Sequence, residues 1–288
     1  MKLLGIGDNV FDHYCWRKEL YPGGNSVNVP VLARRYDGSE TGYIGLIADD
    51  REGRHFLKAL DEEGLDVSRV RMMHGVTARN YIEIDEQGDR HFVGNNGRET
   101  AQYQSMLMLT PVDYAMMEQY DLVHTSIHSW LDMYHVAMSR WAPLSMDFSG
   151  EYTRINMGQL CPLLRFAFFS GGDKSEEEVR TLAKAAVDNG AKTAVVTMGM
   201  RGSYLLEKGR EHRQEAHAAQ VVDALGAGDS FIAAFLARYH ANGGDLADAA
   251  NEGSAYAARC CGHYGAFGHA IAEEEGIKQG GANLSPLF

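Results

Sequence analysis

The chain has 288 residues, of which 45% are hydrophobic and 23% are charged, and its formal net charge is −12. A chain of this length can bury one large core, or one core with a small appendage. It has no apolar run close to the roughly 20 residues of a membrane span, and no lysine- and arginine-rich run that could neutralise a nucleic-acid backbone. We therefore expect a cytoplasmic protein whose partner is neither a membrane nor a nucleic acid, and a small phosphate ligand stays open.

Short apolar runs alternate with helical patterns along most of the sequence. Strands are predicted at residues 2–7, 41–48, 120–127, 143–149, 164–170 and 191–199. Helices are predicted at residues 26–36 and 51–64, from 172–180 onward, and at 230–241. Because strands separated by helices favour a parallel sheet covered on both faces, we predict the α/β class.

Residues 77–97 break this alternation of strands and helices. Their apolar and polar residues alternate with a period of two around a turn at 86–89, and they carry no helical pattern. That alternation predicts a β-hairpin. Together with a strand at 70–74 and another near 10–15, the hairpin could form a small separate sheet, a lid over one edge of the main domain. The glycine-rich tail at 276–288 is predicted to be partly disordered or to pack late.

The strongest sign of chemistry is DALGAGDSF at 223–231. Gly226, Ala227 and Gly228 are small residues at the start of a helix, where backbone N–H groups and the helix dipole can hold an anion. Asp229 would repel a resting phosphate, so it needs another role, such as accepting a proton from a hydroxyl nucleophile. Donors for an anion and a base for an alcohol together predict phosphoryl transfer. A plain glycine turn with Asp229 as the helix cap is the alternative.

A second polar group lies near the start of the chain. Asp8 and Asp12 follow the first predicted strand, and GGNSVN supplies Gly24, Asn25 and Asn28 at the start of a helix. Carboxylates and amides together can hydrogen-bond the neighbouring hydroxyls of a polyol. The structural alternative is that Asn25 caps the helix and Asp8 ends a strand.

Two other polar stretches are interpreted as structural. Asp49 and Asp50 stand at a helix start, where they are predicted to cap the helix and to stabilise its dipole. The stretch HTSIH carries His124 and His128 without an acidic partner motif. Core or surface imidazoles are therefore favoured over metal ligands there.

With GGNSVN at 23–28 and DALGAGDSF at 223–231, the sequence resembles the ribokinase-like, or PfkB, carbohydrate kinases over about residues 1–268. Three further motifs follow in the family's order: GLIADDREG with LDEEGLD after it, DEQGDRHF, and VVTMGMRGSYLL. Within the family, the stretches GDNVFDHY, GGNSVNV, MHGVTA, YDLVH and MDFS are most similar to the fructoselysine 6-kinase branch, whose members phosphorylate fructosamines.

The resemblance implies a single three-layer α/β/α kinase domain over residues 1–288, with a mostly parallel central sheet and a β lid formed by about 10–20 and 68–97. It implies ATP and Mg²⁺ as cofactors and a homodimer formed through the lid. It assigns the catalytic base to Asp229 and the anion hole for the γ-phosphoryl group to Gly226, Ala227 and Gly228. It assigns the nucleotide contacts to Thr197, Gly199, Gly202 and Asn251, and the sugar-hydroxyl contacts to Asp8, Asp12, Gly24, Asn25 and Asn28.

Three positions depart from the family's pattern. Ala224 stands where the family usually has threonine, and Ala48 replaces a common glycine. The family's Asn-x-x-Glu magnesium motif should fall at 170–173, where this chain reads SGGD. Asp173 and Glu176 are then the candidate magnesium carboxylates.

We therefore predict an ATP-dependent kinase that phosphorylates a primary hydroxyl, with O6 of a fructosamine such as fructoselysine as the first choice. The alternatives are another kinase of the family, acting on fructose, ribose or a nucleoside, and a sugar-binding sensor that has lost catalysis. A nicotinamide oxidoreductase based on GIGDNV lacks the third glycine of that fingerprint. An amino group on the substrate would favour a nearby carboxylate, and Glu99, Asp132 and Glu151 are candidates that no spacing rule separates.

Overall fold

The computed structural model describes residues 1–84, 90–154 and 156–274, so the predicted turn at 86–89 and the predicted tail at 276–288 lie outside the described residues. The strands form two sheets. Those of the large sheet are β1 (Lys2–Gly7), β4 (Glu40–Ala48), β5 (Arg71–Met73), β8 (Leu122–Ser126), β9 (Leu144–Asp147), β10 (Leu164–Ser170), β11 (Thr193–Thr197), β12 (Ser203–Glu207) and β13 (Arg210–Gln214). Those of the small sheet are β2 (Val10–Tyr14), β3 (Glu19–Gly23), β6 (Arg79–Ile84), β7 (Arg90–Asn95) and β14 (Ile271–Ala272).

The predicted helices are present, with others between them. They are α1 (Asn25–Asp37), α2 (Arg51–Glu62), α3 (Ala101–Gln104), α4 (Pro111–Met117), α5 (His135–Met138), α6 (Met157–Leu160), α7 (Glu176–Asp188), α8 (Ala227–Ala241) and α9 (Leu246–Cys260). Asp50 caps α2, as expected, by accepting a hydrogen bond from the backbone of Gly53. A capping box formed by Ser175 and Glu178 begins α7.

The large sheet is mostly parallel, which confirms the predicted class. Its strand order is β13-β12-β11-β10-β9-β8-β1-β4-β5, and the six pairs from β11 to β5 all run parallel. The last two strands on the other edge, β12 and β13, are antiparallel. Neither β12 nor β13 was predicted from the sequence as a strand separate from the β11 motif.

One strand lies in a different sheet from the one that we predicted. Residues 70–74 were expected in the small sheet, but β5 pairs with β4 at the edge of the large sheet, with Leu46 opposite Arg71 and Ala48 opposite Met73. The physical reason is the connection: parallel neighbours need a crossover, and α2 supplies one between β4 and β5. In the small sheet, β2 pairs with β3 and β6, and β6 pairs with β7 as the predicted hairpin.

Helices cover both faces of the large sheet. Because successive side chains of a strand point to opposite faces, Leu3 and Leu4 enter different hydrophobic clusters. The cluster around Leu3 includes residues of α1, α8 and α9, whereas the cluster around Leu4 includes residues of α4, α5 and α7. The result is three layers, with the carboxyl ends of β1, β8 and β9 at the edge where α1 begins.

Candidate active site

A cavity of about 510 Å³ lies between the two sheets. Its floor is formed by residues at the carboxyl ends of β1 and β9 and at the first turns of α1 and α8, and its far wall by residues of β6, β7 and the segment that follows them. In open α/β sheets this edge is the usual place for a ligand. Among the predicted residues, the cavity is lined by Asp8, Asp12, Gly24, Asn25, Asn28, Gly226 and Asp229.

Asp8 holds the start of α1. Its Oδ2 atom accepts a hydrogen bond from the backbone N–H of Asn25 at 2.9 Å, and its Oδ1 atom accepts from the hydroxyls of Ser26, Ser126 and Ser129 at 2.6, 2.7 and 2.9 Å. Burial acts to raise the pKa of Asp8, but the serine hydrogen bonds outweigh it and hold that pKa below its ordinary value. The carboxylate is therefore ionised and already surrounded by donors of the protein.

Gly24 lets α1 begin against the end of β1. Its φ of 111° is unfavourable for residues with a side chain. A Cβ atom there would lie 2.7 Å from the Cα atom of Asn9 and 2.9 Å from the backbone oxygen of Asp8. Only glycine fits this position, so the GG pair of the motif brings Asn25 and Asn28 to the cavity.

The amides of Asn25 and Asn28 bind the carboxylate of Asp229. The Nδ2 atom of Asn25 lies 2.6 Å from Oδ1 of Asp229, and that of Asn28 lies 2.6 Å from Oδ2. The Nδ2 atom of Asn25 also lies 2.9 Å from Oδ2 of Asp147. Both hydrogens of the Asn25 amide are therefore taken by carboxylates. The Oδ1 atom of Asn28 is buried and accepts no hydrogen bond from the described residues.

Several carboxylates of the cavity hold their protons more tightly than usual. Burial raises the pKa of Asp12 and of Asp147 to about 7, and the charge of Asp229 adds to both shifts. Burial also raises the pKa of Asp229, against the two amide hydrogen bonds, which lower it. A carboxylate with a raised pKa is a stronger base than an ordinary one once it is ionised.

The first turn of α8 leaves room for an anion. Gly226 has a φ of 79°, and a Cβ atom there would lie 2.6 Å from the Cβ atom of Ala266. Within the part of the chain that the structure describes, no side chain caps this helix. A Cβ atom added to Gly228 would meet nothing within 4 Å. The N–H group of Ala227 donates to the backbone oxygen of Ala224 at 3.2 Å. The other N–H groups of this turn, the helix dipole and the open space together suit a phosphate group.

The loop before α8 is tied to the small sheet. Asp223 accepts a hydrogen bond from the hydroxyl of Tyr14, in β2, at 2.5 Å. It also accepts from the backbone of Leu225 at 2.9 Å and of Gly265 at 3.0 Å. The position of the small sheet and that of the GAGD turn are therefore coupled through one buried carboxylate.

The predicted nucleotide contacts stand apart from this cavity. Thr197 ends β11, and Gly199 and Gly202 border the turn after it with φ angles of 58° and 85°. Asn251, in α9, lies 2.9 Å from the imidazole of His217. Because β11 runs parallel to β10, Thr197 lies at the same edge of the sheet as the cavity, but none of these four residues lines it within the described chain.

The predicted magnesium carboxylates do not fit a metal site beside Asp229. Asp173 is paired with Lys174 at 3.3 Å, and Glu176 with Arg201 and Arg213 at 3.6 and 3.2 Å. Neither carboxylate lines the cavity. Across residues 1–84, 90–154 and 156–274, no group of three or more histidine, cysteine or acidic side chains could hold a metal ion. The SGGD departure is thus not compensated by these two side chains.

Three further residues belong to the site: Asp147, Glu151, which is one of the three candidates for binding an amine, and His124, which was interpreted as structural. Asp147 and Glu151 line the cavity, whereas Glu99 and Asp132 do not. His124 is fully buried, and its Nε2 atom lies 2.9 Å from Oδ1 of Asn25. For Asp147 the available signal was its place near the carboxyl end of a predicted strand. For His124 no local signal existed.

This fold and site define a carbohydrate kinase. The family model of the pfkB family carbohydrate kinases matches residues 11–139 and 165–270, so the chain belongs to that family. Membership implies a sugar as the phosphate acceptor and ATP as the donor. No helix in the described part of the chain is long and apolar enough to cross a membrane.

Within that family the chain is similar to two curated kinases. It is 39% identical over 269 residues to fructosamine kinase FrlD of Bacillus subtilis, covering 93% of this chain and 94% of that protein. It is 36% identical over 269 residues to fructoselysine 6-kinase of Escherichia coli, covering 93% of this chain and all of that protein (100%). The fold matches a ribokinase of Arabidopsis thaliana, complexed with ribose and ATP, with a TM-score of 0.79, 19% identity and coverage of 94% and 96% of the two chains.

Proposed function

We propose that this protein transfers the γ-phosphoryl group of ATP to O6 of a fructosamine, with fructoselysine as the reference substrate. The observation that carries the proposal is the carboxylate of Asp229, held by two amides at 2.6 Å beside the uncapped first turn of α8. The relatives named for fructosamine and fructoselysine support the choice of acceptor.

Asp229 is proposed as the base. Each of its carboxylate oxygens accepts one amide hydrogen bond, which leaves lone pairs for the 6-hydroxyl of the sugar. As that oxygen forms its bond to the γ-phosphorus, the bond from the γ-phosphorus to the leaving ADP oxygen breaks, and Asp229 takes the hydroxyl proton. The N–H groups of Gly226, Ala227 and Gly228 are proposed to hold the charge on the transferring group.

The sugar ring is proposed to lie against Asp12, Gly24 and Asn28. The buried Oδ1 atom of Asn28 has no donor among the described residues, so a sugar hydroxyl would satisfy it. Asp12 accepts a hydrogen bond of 3.2 Å from the amide of Asn80 in β6. Its other oxygen can accept a hydrogen bond from a hydroxyl of the substrate. Asp8 and Asn25 are proposed to act indirectly. Asp8 fixes the start of α1, and Asn25 binds the carboxylates of Asp147 and Asp229.

The charge of the cavity favours an acceptor that carries an amine. Five acidic side chains of the described residues line it: Asp8, Asp12, Asp147, Glu151 and Asp229. Arg79 is the arginine that lines the wall within the described part of the chain, and it is buried and paired with Glu52 at 2.9 Å. The amine of a fructosamine is a cation at neutral pH, and an acidic cavity stabilises a cation more than a neutral sugar.

Glu151 is our candidate for the carboxylate that binds this amine. It lines the cavity, in contrast to Glu99 and Asp132, and it lies in the stretch 140–164 that the family model leaves unmatched. Phe92, Met106 and Leu107 form an apolar part of the same wall, against which the aliphatic chain of a lysine substituent would pack.

We predict that Glu151→Gln lowers kcat/KM for fructoselysine by roughly 10- to 100-fold, the scale for losing a charged hydrogen bond. Its effect on fructose, as a substrate or as a competing ligand, should be small because fructose has no amine. Steady-state ADP release measures both. Glu99→Gln is the matched control, since Glu99 lies outside the cavity lining. Equal losses on both sugars would contradict the role of Glu151.

Mg²⁺ is proposed to enter with ATP. This ion usually keeps several waters and is held by one or two carboxylates and the substrate phosphates, so it needs no cage of protein ligands. Asp173→Asn and Glu176→Gln should then leave the Mg²⁺ dependence of the rate unchanged. Because the reaction uses ATP, we place the protein in the cytoplasm.

A homodimer through the small sheet is also proposed. Ile84 and Phe92 of β6 and β7 expose 38% and 63% of their surface, which suits an interface between two copies. Light scattering after gel filtration measures the mass in solution. A monomer at micromolar concentration would contradict the dimer without affecting the kinase proposal.

The acceptor is tested by a screen of fructoselysine, other fructosamines, fructose, ribose and adenosine, with and without Mg²⁺. We expect the highest kcat/KM for fructoselysine, with the phosphate located on C6 by NMR. Phosphorylation of adenosine alone would overturn the acceptor but not the fold. Sugar binding without any transfer would instead support the sensor alternative.

A further inference from the structure

We propose that His124 is a positioning residue for this reaction: its ring fixes the amide of Asn25 so that both amide hydrogens face the carboxylates of Asp229 and Asp147. The inference rests on the proposed role of Asp229 as the base. It assigns His124 no contact with substrate.

The position of His124 follows from the strand register. His124 in β8 lies opposite Ser145 in β9, and both side chains are fully buried. On its other side His124 lies opposite Gly5 in β1. A Cβ atom on Gly5 would lie 2.0 Å from the backbone oxygen of Ser26, so only the missing side chain lets the first turn of α1 approach the sheet here. That close approach brings Asn25 to the ring.

The hydrogen-bond directions along this chain of groups have one consistent solution. The Nδ2 atom of Asn25 faces two carboxylates, so its Oδ1 atom faces Nε2 of His124, at 2.9 Å. An amide oxygen only accepts, and therefore Nε2 of His124 carries the hydrogen. The Nδ1 atom, 2.9 Å from the hydroxyl of Ser145, then accepts from that hydroxyl. Burial lowers the pKa of His124 to about 3, so the ring is neutral and keeps this tautomer.

Without the ring, the Asn25 amide loses the donor to its oxygen. No other hydrogen bond to Oδ1 of Asn25 is made within the described residues, and a half-buried oxygen that faces the protein without a donor loses a stabilising hydrogen bond. The amide can then rotate, which would turn its oxygen toward Asp229 and Asp147 and remove a hydrogen bond that favours the ionised form of Asp229. Among the described residues, the other ionisable groups that line the same space are Asp8 after β1, Asp12 in β2, Arg79 in β6, His128 after β8 and Glu151 after β9.

The test is His124→Phe, which keeps a ring but removes both nitrogen atoms. We expect kcat to fall by roughly 10- to 100-fold, the scale for a buried group that loses its hydrogen bond, with KM for ATP nearly unchanged. Because the Asn25 hydrogen bond lowers the pKa of Asp229, its loss should move the acidic limb of the kcat/KM profile to higher pH. A purely structural role for the ring would not move that limb.

Two further variants distinguish positioning from misfolding. His124→Gln places an amide nitrogen near the position of Nε2 and should restore most of kcat and the original acidic limb. His135→Phe is the matched control: it replaces a buried histidine of α5 that lies outside the cavity lining and should leave the kinetics unchanged. Circular dichroism and thermal melting confirm that each variant is folded.

A double-mutant cycle with Asn25→Ala tests whether His124 acts through Asn25. If His124 acts through Asn25, then His124→Phe should cost little more in the Asn25→Ala background. Full additivity, or a normal kcat and pH profile in folded His124→Phe, would overturn the inference. If Asp229→Asn keeps normal turnover, the proposed base itself is wrong. With Asp229 confirmed as the base, normal kinetics of the His124 variant reject this inference alone.

Discussion

The two helices that begin at the cavity use their N-termini in opposite ways. Both α1 and α8 start after a glycine with positive φ, Gly24 at 111° and Gly226 at 79°. At α1 the carboxylate of Asp8 accepts the first N–H group at 2.9 Å. At α8 no described side chain caps the helix. One N-terminus thus holds an anion of the protein, and the other is left for an anion of the substrate.

This difference gives the two helices different tasks in the proposed reaction: α1 positions the base, and α8 supplies the base and the donors for the phosphate. The capped helix is rigidly attached to the ends of β1 and β8 through the hydroxyls around Asp8, and it presents two asparagine amides to the base. The uncapped helix carries the base itself and has backbone donors at its first turn that no described side chain caps. Positions at α1 should therefore affect stability and geometry, whereas positions at α8 should affect turnover and the use of ATP.

The largest effect is expected from Asp229→Asn at the uncapped helix. Turnover should fall by on the order of 10²–10⁴, the usual range for losing a general base, while ATP still binds. Steady-state kinetics and calorimetric titration with an ATP analogue measure the two quantities. Asp173→Asn, outside the cavity, serves as the control. Near-normal turnover of the Asp229 variant would contradict the assignment of the base.

A smaller effect is expected from Gly226→Ala. The left-handed backbone costs a residue with a side chain about 1–2 kcal/mol, and the added Cβ atom would press on Ala266 at 2.6 Å. We expect stability to fall and kcat/KM for ATP to fall by up to about 100-fold, the lower end of the range for losing a donor at the transition state. Gly38→Ala has a similar φ of 77° and no neighbour within 4 Å, so it should lose stability alone. Equal values of kcat/KM for ATP in the two variants would contradict the proposed anion hole at this turn.

The smallest effect is expected at the capped helix. Asp8→Asn should lower the free energy of unfolding at pH 7 by about 1 kcal/mol, the typical worth of an N-cap. Because the pKa of Asp8 is lowered in the folded protein, its contribution is present above the unfolded pKa of about 4 and is lost as the pH falls through the folded value. Urea unfolding at pH 3 to 7 should show the two proteins converging in acid.

Asp245→Asn is the companion variant, since Asp245 caps α9 through the backbone of Ala247 and Asp248, away from the cavity. It should lose stability without any change in kcat/KM for the sugar. A stability difference between Asp8→Asn and the native chain that persists unchanged at pH 3 would show that the charge of Asp8 is not the cause.

Much of the fold was predictable from local patterns. Strands β1, β4, β8, β9, β10 and β11 and helices α1, α2, α7 and α8 follow from runs of apolar residues and their periodicity. The hairpin of β6 and β7 follows from a hydrophobic pattern with a period of two. Strand β3 was not predicted. The assignment of β5 failed because a three-residue strand carries no information about its partner. Only its pairing with β4, after the crossover through α2, decides the sheet to which it belongs.

For the site, the sequence alone determined which residues stand at helix starts and strand ends: the GGN and GAGD motifs, Asp8 after β1, and Asp147 at the end of β9. Local chain direction and small residues suffice for that. Tertiary structure alone decided that Asp8 caps α1, that Asn25 joins Asp147 and Asp229 across 122 and 204 residues, and that His124 reaches Asn25. Hydrogen bonds between such distant residues depend on strand order and register, which no short stretch of sequence contains.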